Sequence, residues 1–230
     1  MDFRSWVFDM SSIIIDLEEE ALRSNVDIIA LLRKSKVISH KLQLQEFEEW
    51  TNNELNGYGG KKIPDYRYLH GELKAWNPYY GWIPVIGDGS LDILKSLPSS
   101  ESISELVELA KSRDRFITIC FGDTINSKLN ECVDSFLKTK YALLVGTHQI
   151  SAIIERVKNL ILEWTLKLED GGILGEGLKF NNKEKDIAIN DSSIKNYVMN
   201  FYGNVTDTQI QTDTNSSKQV QRVKVSMLEV

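Results

Sequence analysis

The chain has 230 residues, of which 42% are hydrophobic and 26% are charged, so it fits a globular protein with one substantial core. Its formal net charge of -6 disfavours nonspecific nucleic-acid binding, because such binding needs a basic surface. The two cysteines, Cys120 and Cys132, lack CxxC spacing and predict buried thiols rather than a redox pair. No apolar run approaches the roughly 20 residues of a membrane span, and no signal peptide is evident.

The first 60 residues predict three helices that pack together as a hairpin or bundle. The first is capped by Ser11 or Ser12 and runs to about residue 23, and the second follows the break at 24–25 and runs to about residue 40. The third spans about 44–56, where apolar residues follow helical spacing and Gly57 supplies a typical helix stop.

The middle of the chain changes to aromatic and β-prone residues, which favour strands over 66–85. A turn at 87–90, a short helix at 91–97 and a capped helix beginning near Ser100 follow. The apolar runs RFITICF (115–121) and YALLV (141–145) predict buried strands of a small mixed sheet.

A long C-terminal helix over 149–169 has the clearest pattern, since its apolar residues recur at three and four and Gly171-Gly172 ends it. Beyond it, 181–200 is predicted to be a polar linker and 201–230 a β-prone oligomerisation tail. The tail is rich in Thr, Asn, Gln and Val and has little to bury by itself, so pairing with another chain would order it. Its candidate contact residues are Val205, Ile210, Val220 and Val223. The expected fold class is thus α+β with a β-prone polar tail.

Four blocks, taken in order, resemble a known family: LLRKSK (31–36), WTNNELNGY (50–58), PDYR (64–67) and EWTLKLEDGGILGEG (163–177). They are similar to the AbiTii family of bacterial conflict proteins, and the resemblance makes 1–180 an AbiTii-like domain. It implies a bacterial cytoplasmic protein that acts in phage defence or another genetic conflict. It implies no reaction, because it brings no catalytic residue set.

Candidate binding residues lie within these blocks: Glu54, Tyr66, Arg67 and Lys36. Arg67 could clamp a phosphate or carboxylate, but the favoured interpretation is that it pairs with Glu54 or Asp65 and pins the connection from helix to strand. Lys36 belongs to a basic run that most simply forms a solvated helix face.

Other patterns give no catalytic or metal assignment. The three histidines have no metal-ligand spacing, and the glycine-rich texts GYGGKK and GGILGEG follow helices, which predicts helix stops rather than phosphate loops. Neither a cofactor nor a catalytic residue is predicted.

The leading hypothesis is a noncatalytic sensing or interaction module of an antiphage system that self-assembles through its tail. Its partners would be further copies of itself and a protein partner or a phage-derived trigger; nucleic acid is not favoured. One alternative is a toxin-like enzyme acting on nucleic acid or nucleotide, with Glu54, Tyr66 and Arg67 near its site and the aromatic residues of 76–82 lining a pocket. Another is a protein that inhibits or carries such an effector.

Overall fold

The computed structural model describes residues 12–86, 89–132 and 138–202. Within them, helices surround a small five-stranded sheet, which confirms the predicted α+β class. The predicted tail contacts Val205, Ile210, Val220 and Val223 lie outside the described residues.

The N-terminal helices are α1 (Ile13–Leu22), α2 (Ile28–Lys41) and α3 (Gln45–Asn56). Ser12 caps α1 as predicted, with its side chain accepting a hydrogen bond from the amide of Ile15. The cap of α2 is Asp27 rather than the 24–25 pair, because the Asp27 carboxylate accepts from the amides of Ile29 and Ala30. Helix α3 stops at Gly57 as predicted.

The sheet contains β1 (Tyr68–Asn77), β2 (Gly81–Pro84), β3 (Ser96–Pro98), β4 (Phe116–Cys120) and β5 (Tyr141–Gly146). Its order is β2-β1-β5-β4, and β3 also pairs with β1. All four described pairings are antiparallel, so the sheet is antiparallel rather than mixed. Apolar runs identify strands but do not set their direction, which depends on partners far away in sequence.

Three helices accompany these strands: α4 (Ile103–Ala110), α5 (Asp123–Cys132) and α6 (His148–Asp170). Helix α6 confirms the long helix within a residue at each end, and its buried stripe includes Val157, Ile161 and Trp164. Helix α5 was not expected, because its sequence DTINSKLNEC is mostly polar and shows only a short apolar pattern.

The predicted polar linker at 181–200 is helical in the structure. Helices α7 (Asn182–Asn190) and α8 (Ser192–Lys195) lead into a 3₁₀ helix, Tyr197–Tyr202. Apolar side chains from all three helices join the core, among them Ala188, Ile194 and Phe201. A polar composition with widely spaced apolar residues fits a helix that lies on the core and exposes its other face.

Candidate functional site

Helix α3 carries the first half of a buried polar cluster. Its buried face includes Trp50, then Asn53 three residues later, and Glu54 directly after that. Glu54 is fully buried although it is charged. A buried carboxylate is stable only when it is paired and hydrogen-bonded, so its partners decide its role.

The chain after α3 turns back so that its next residues face Glu54. Gly57 has a φ of 86°, and the amide of Tyr58 donates to the Ser100 carbonyl at 2.8 Å. Pro64 then opens a 3₁₀ turn, Asp65–Arg67, which presents Tyr66 and Arg67 to α3 before β1 begins. The helix stop at Gly57 and the turn after Pro64 thus bring together side chains that all lie within 54–67.

The Glu54 carboxylate accepts four hydrogen bonds. Its Oε1 atom receives the hydroxyls of Tyr58 and Tyr66, each at 2.6 Å, and Nε of Arg67 at 2.9 Å. Its Oε2 atom receives Nη2 of Arg67, which makes the ion pair bidentate. The pairing of Arg67 with Glu54 is confirmed, and it pins α3 to the start of the sheet.

The remaining nitrogen of Arg67 reaches a third segment of the chain. Its Nη1 donates to the carbonyls of Ser99, at 3.3 Å, and Glu101, at 2.7 Å. The guanidinium also lies over the Tyr58 ring, 4.8 Å from its centroid. All three guanidinium nitrogens therefore have partners within the protein, and the fully buried side chain presents none of them to solvent.

Burial sets the ionisation of this cluster. Burial first, and the nearby Glu54 carboxylate second, raise the pKa of Tyr58 and of Tyr66 well above the ordinary value of 10.0, so both hydroxyls remain donors. Burial alone would lower the pKa of Arg67, but the Glu54 carboxylate raises it above its ordinary value. The cluster thus holds one fixed cation and two neutral phenols.

A family model described as AbiTii matches residues 12–193, which is most of the chain. The chain belongs to the AbiTii family. Neither the curated proteins nor the solved structures contain a match to it. Membership in AbiTii suggests a role in abortive infection and phage defence.

The cluster of this AbiTii protein lies beneath an open groove of about 300 Å³. Trp50 and Asn53 form its floor, and Lys61, Lys62 and Tyr202 stand at its sides. Lys61 donates to Oδ1 of Asn53 at 2.7 Å, and Lys62 Nζ lies 5.4 Å from the Tyr202 ring centroid. Burial, with Glu54 and Glu49 next in effect, raises the pKa of Tyr202 to about 12. The groove, unlike the cluster, is accessible from outside.

Aromatic rings hold the cluster against the C-terminal helices. Trp50 donates from Nε1 to the Tyr66 hydroxyl at 2.9 Å, and its ring meets Phe201 edge-on at 5.3 Å. Phe47 stacks on Trp164 with their centroids 3.8 Å apart. Trp50 and Trp164 are therefore buried anchors of the core.

Lys36, the fourth candidate, does not join the cluster. It lies on α2, where its Nζ donates to Oδ1 of Asn52 at 2.8 Å. It lines a separate cleft between α2 and the start of α4, together with Ile29, Arg33 and Ile103. The structure thus brings Glu54, Tyr66 and Arg67 together and places Lys36 elsewhere.

The aromatic residues of 76–82 lie on the β1–β2 hairpin rather than around Glu54. Trp76 and Trp82 face each other across the two strands with their centroids 5.3 Å apart. Tyr79 and Tyr80 lie in the turn, and both are almost fully exposed. None of these residues lines the groove beside the cluster.

Sequence reasoning missed Tyr58 and the 99–101 segment as members of the cluster. Tyr58 lies four residues after Glu54, a spacing that would have suggested contact if the helix had not ended at Gly57. Nothing in the sequence links Arg67 to the carbonyls of Ser99 and Glu101. Within the described ranges, no group of three or more His, Cys, Asp or Glu side chains could hold a metal ion, and no helix could span a membrane.

Proposed function

We propose that this AbiTii protein is a noncatalytic sensing or interaction module of an abortive-infection system, acting in the bacterial cytoplasm. The observation that carries the proposal is the closure of the Glu54–Arg67 cluster. Both carboxylate oxygens and all three guanidinium nitrogens are bound internally, and both side chains are fully buried. The residues nearest to a catalytic constellation therefore act as a structural clamp.

The groove above the clamp is the proposed partner surface. It exposes both signs of charge, from Glu46 and Glu49 on α3 and from Lys61 and Lys62 on the following loop. Met199 and Tyr202 add apolar contact area. Mixed charge around apolar and aromatic groups suits a protein surface better than a polyanion, which would require a single sign.

A double substitution separates this proposal from the enzyme alternative. Arg67→Ala alone would leave the Glu54 charge buried and unpaired, and loss of activity would then report only misfolding. In Glu54→Gln/Arg67→Met both charges go, the volume is largely kept and the side-chain oxygen at position 54 still accepts from the Tyr58 and Tyr66 hydroxyls, so a folded protein is expected. We expect this variant, expressed in the native host, to keep phage protection once its folding is verified by circular dichroism. A folded variant that no longer protects would support a catalytic role for the pair.

We further propose that the tail assembles copies of the chain, in line with its β-prone composition. The test compares the solution mass of the full chain with that of a chain ending after Tyr202. Ending at 200 instead would remove Phe201, whose ring packs against Trp50 and Tyr197. We expect an oligomer that becomes smaller on truncation. Equal masses for the two chains would contradict assembly through the tail.

The groove is tested separately by changing its exposed charges. Lys61→Glu/Lys62→Glu is expected to abolish protection while the protein stays folded with the same solution mass, although the lost contacts of Lys61 with Asn53 and Glu49 will lower its stability somewhat. Lys95→Glu/Lys111→Glu, at two exposed lysines elsewhere that each form one surface ion pair, is the control with the same change of charge. Full protection by Lys61→Glu/Lys62→Glu would exclude this groove as the partner surface.

A further inference from the structure

Strand β4 ends the sheet, and within the described residues no strand pairs with its outer edge. It pairs with β5 alone among the described strands. Toward β5, the amide of Thr147 donates to the Arg115 carbonyl at 3.0 Å, and the amide of Phe121 donates to the Tyr141 carbonyl at 3.1 Å. Because this direction alternates along an antiparallel strand, the backbone groups of Phe116, Thr118 and Cys120 point to the open edge.

This edge lacks the usual protection against strand addition. The strand reads FITIC, without a charge or a proline, and its pairing with β5 is regular over all its residues, without a bulge. The opposite end of the sheet differs, since β2 closes with Pro84. Phe116 is 57% exposed, and Thr118 and Cys120 are exposed beside it, so the predicted burial of Cys120 is wrong. A flat apolar edge of this kind is a template for another strand.

We propose that β4 pairs antiparallel with β4 of a second copy of the chain, with Thr118 opposite Thr118 on a twofold axis. This pairing uses residues of β4 and none of those assigned to the tail or the groove, so the inference goes beyond the proposed function. The pairing joins the two sheets through about six backbone hydrogen bonds. It covers the open backbone groups of both copies at once, as an isologous interface requires.

The sequence of the strand is complementary to itself in this register. Ile117 faces Ile119 of the second copy on the side of the sheet that meets the core. Phe116 faces Cys120 on the outer side, where sulfur and an aromatic ring attract each other. Every residue within the strand thus meets a partner that is apolar or uncharged.

Charges beyond the two ends of the strand are of opposite sign. An antiparallel pair places the end of β4 that follows Arg113 beside the end of the other copy's β4 that leads into α5 at Asp123. Both residues are exposed, and neither forms a salt bridge within the described part of the chain. This charge match at both ends favours a second copy over an unrelated strand.

Disulfide trapping tests the register with a native cysteine. In the full chain carrying Cys132→Ser, Phe116→Cys would lie opposite Cys120 of the second copy, within disulfide reach. Within one copy the two residues lie roughly 13 Å apart along the strand, which excludes an internal bond. We expect mild oxidation to give a covalent dimer that dithiothreitol reverses and that adding Cys120→Ser abolishes. Monomers only, or equal crosslinking without Cys120, would overturn the proposal.

A second pair of variants separates this interface from assembly through the tail. Thr118→Pro removes an amide that points to the open edge and leaves the bonds to β5 intact, so it should fold but fail to pair. Thr118→Val keeps the amide and is the matched control. Val220→Asp/Val223→Asp disturbs the tail in the full chain. We expect the disulfide to form in the tail variant as in the parent and to disappear with Thr118→Pro.

Each outcome of that comparison decides one question. A disulfide lost in the tail variant would show that copies meet through their tails, and the independent β4 interface would be refuted. Trapping that persists with Thr118→Pro would refute it as well. If the tail variant leaves the solution mass unchanged while trapping remains, the tail proposal fails and the β4 interface stands.

Discussion

Arg67 donates to both oxygens of Glu54 from a position thirteen residues later in the chain, and neither side chain is exposed to solvent. The pair connects α3 to the turn that precedes β1. Through the Ser99 and Glu101 carbonyls it also holds the segment that leads into α4. One ion pair therefore fixes the relative positions of three parts of the fold.

Breaking this pair on one side should destabilise the whole protein. Arg67→Ala leaves a buried carboxylate without its cation, and we expect a loss of about 3–5 kcal/mol in the free energy of unfolding. Urea denaturation followed by circular dichroism measures it. Asp65→Ala, at an exposed acid two residues earlier, is the control and should change stability by less than about 0.5 kcal/mol. Equal small effects would show that the clamp contributes little.

Alkaline pH should weaken the protein through Tyr58 and Tyr66. Their pKa values are raised in the folded state, so each phenol stays neutral there, whereas the unfolded chain ionises near pH 10. Their contribution is therefore complete below pH 10 and falls above it, by at most about 1.4 kcal/mol per pH unit for each tyrosine. The slope is obtained by measuring unfolding at several pH values between about 9 and 11.5, a range that brackets the ordinary tyrosine pKa of about 10.

Phenylalanine variants test the assignment of that slope. Tyr58→Phe and Tyr66→Phe should each flatten the decline above pH 10. At neutral pH the loss should be larger for Tyr66→Phe, because it also leaves Trp50 Nε1 without its acceptor. Tyr79→Phe, in the exposed hairpin turn, should leave the profile unchanged. A slope that persists in the combined variant Tyr58→Phe/Tyr66→Phe would assign the alkaline loss to other groups.

Glu184 should govern stability on the acid side. It accepts from the amides of Leu174, Gly175 and Asn181, at 3.0, 2.8 and 2.8 Å. Burial opposes these bonds, yet together they lower the pKa of Glu184 below its ordinary 4.5. Its contribution is present above the unfolded pKa and is lost as pH falls through the lower folded value.

Glu184→Gln should therefore reduce stability at pH 7 and flatten the decline below pH 4.5. Thermal unfolding across the acid range checks this. Glu176→Gln, an exposed change in the same loop, serves as the comparison. If both variants gave the parent profile, the three amide bonds would not control acid stability.

Gly57 should tolerate no side chain. Its φ is 86°, and an added Cβ would lie 2.9 Å from the Ser100 carbonyl oxygen. Gly60 has a similar φ of 80° with nothing within 4 Å. Gly60→Ala should cost about 1 kcal/mol from backbone strain alone, and Gly57→Ala clearly more. Similar losses in the two variants would mean that the 99–101 segment moves aside without cost.

Strong local patterns made much of this fold predictable. Helix α6 repeats its apolar residues over many turns, and Gly57 marks a stop that the backbone confirms. The pairing of Arg67 with Glu54 was also predictable, since a helix stop and a proline turn return the chain to α3. Local sequence carries this information because the interacting residues are close along the chain.

Features that depend on residues distant in sequence were harder to predict. The antiparallel arrangement of β1, β5 and β4 follows from contacts across the whole chain. The apolar sequence of β4 predicts a buried strand, but β4 lies at the sheet edge and alternate residues are exposed. The helices within 182–202 were not predicted, because their apolar side chains are scattered and only the folded protein supplies the surface on which they pack.

Phe201 gives the chain beyond Tyr202 a firm point of attachment. Its ring lies 5.3 Å from Trp50 and 5.0 Å from Tyr197, and Trp50 belongs to the same helix as Glu54. A pulling force applied beyond residue 202 would act first on Tyr202, which packs beside Lys62, and then on this aromatic contact. Mechanical load on the tail would thus be delivered to α3, the helix that carries both the clamp and the floor of the groove.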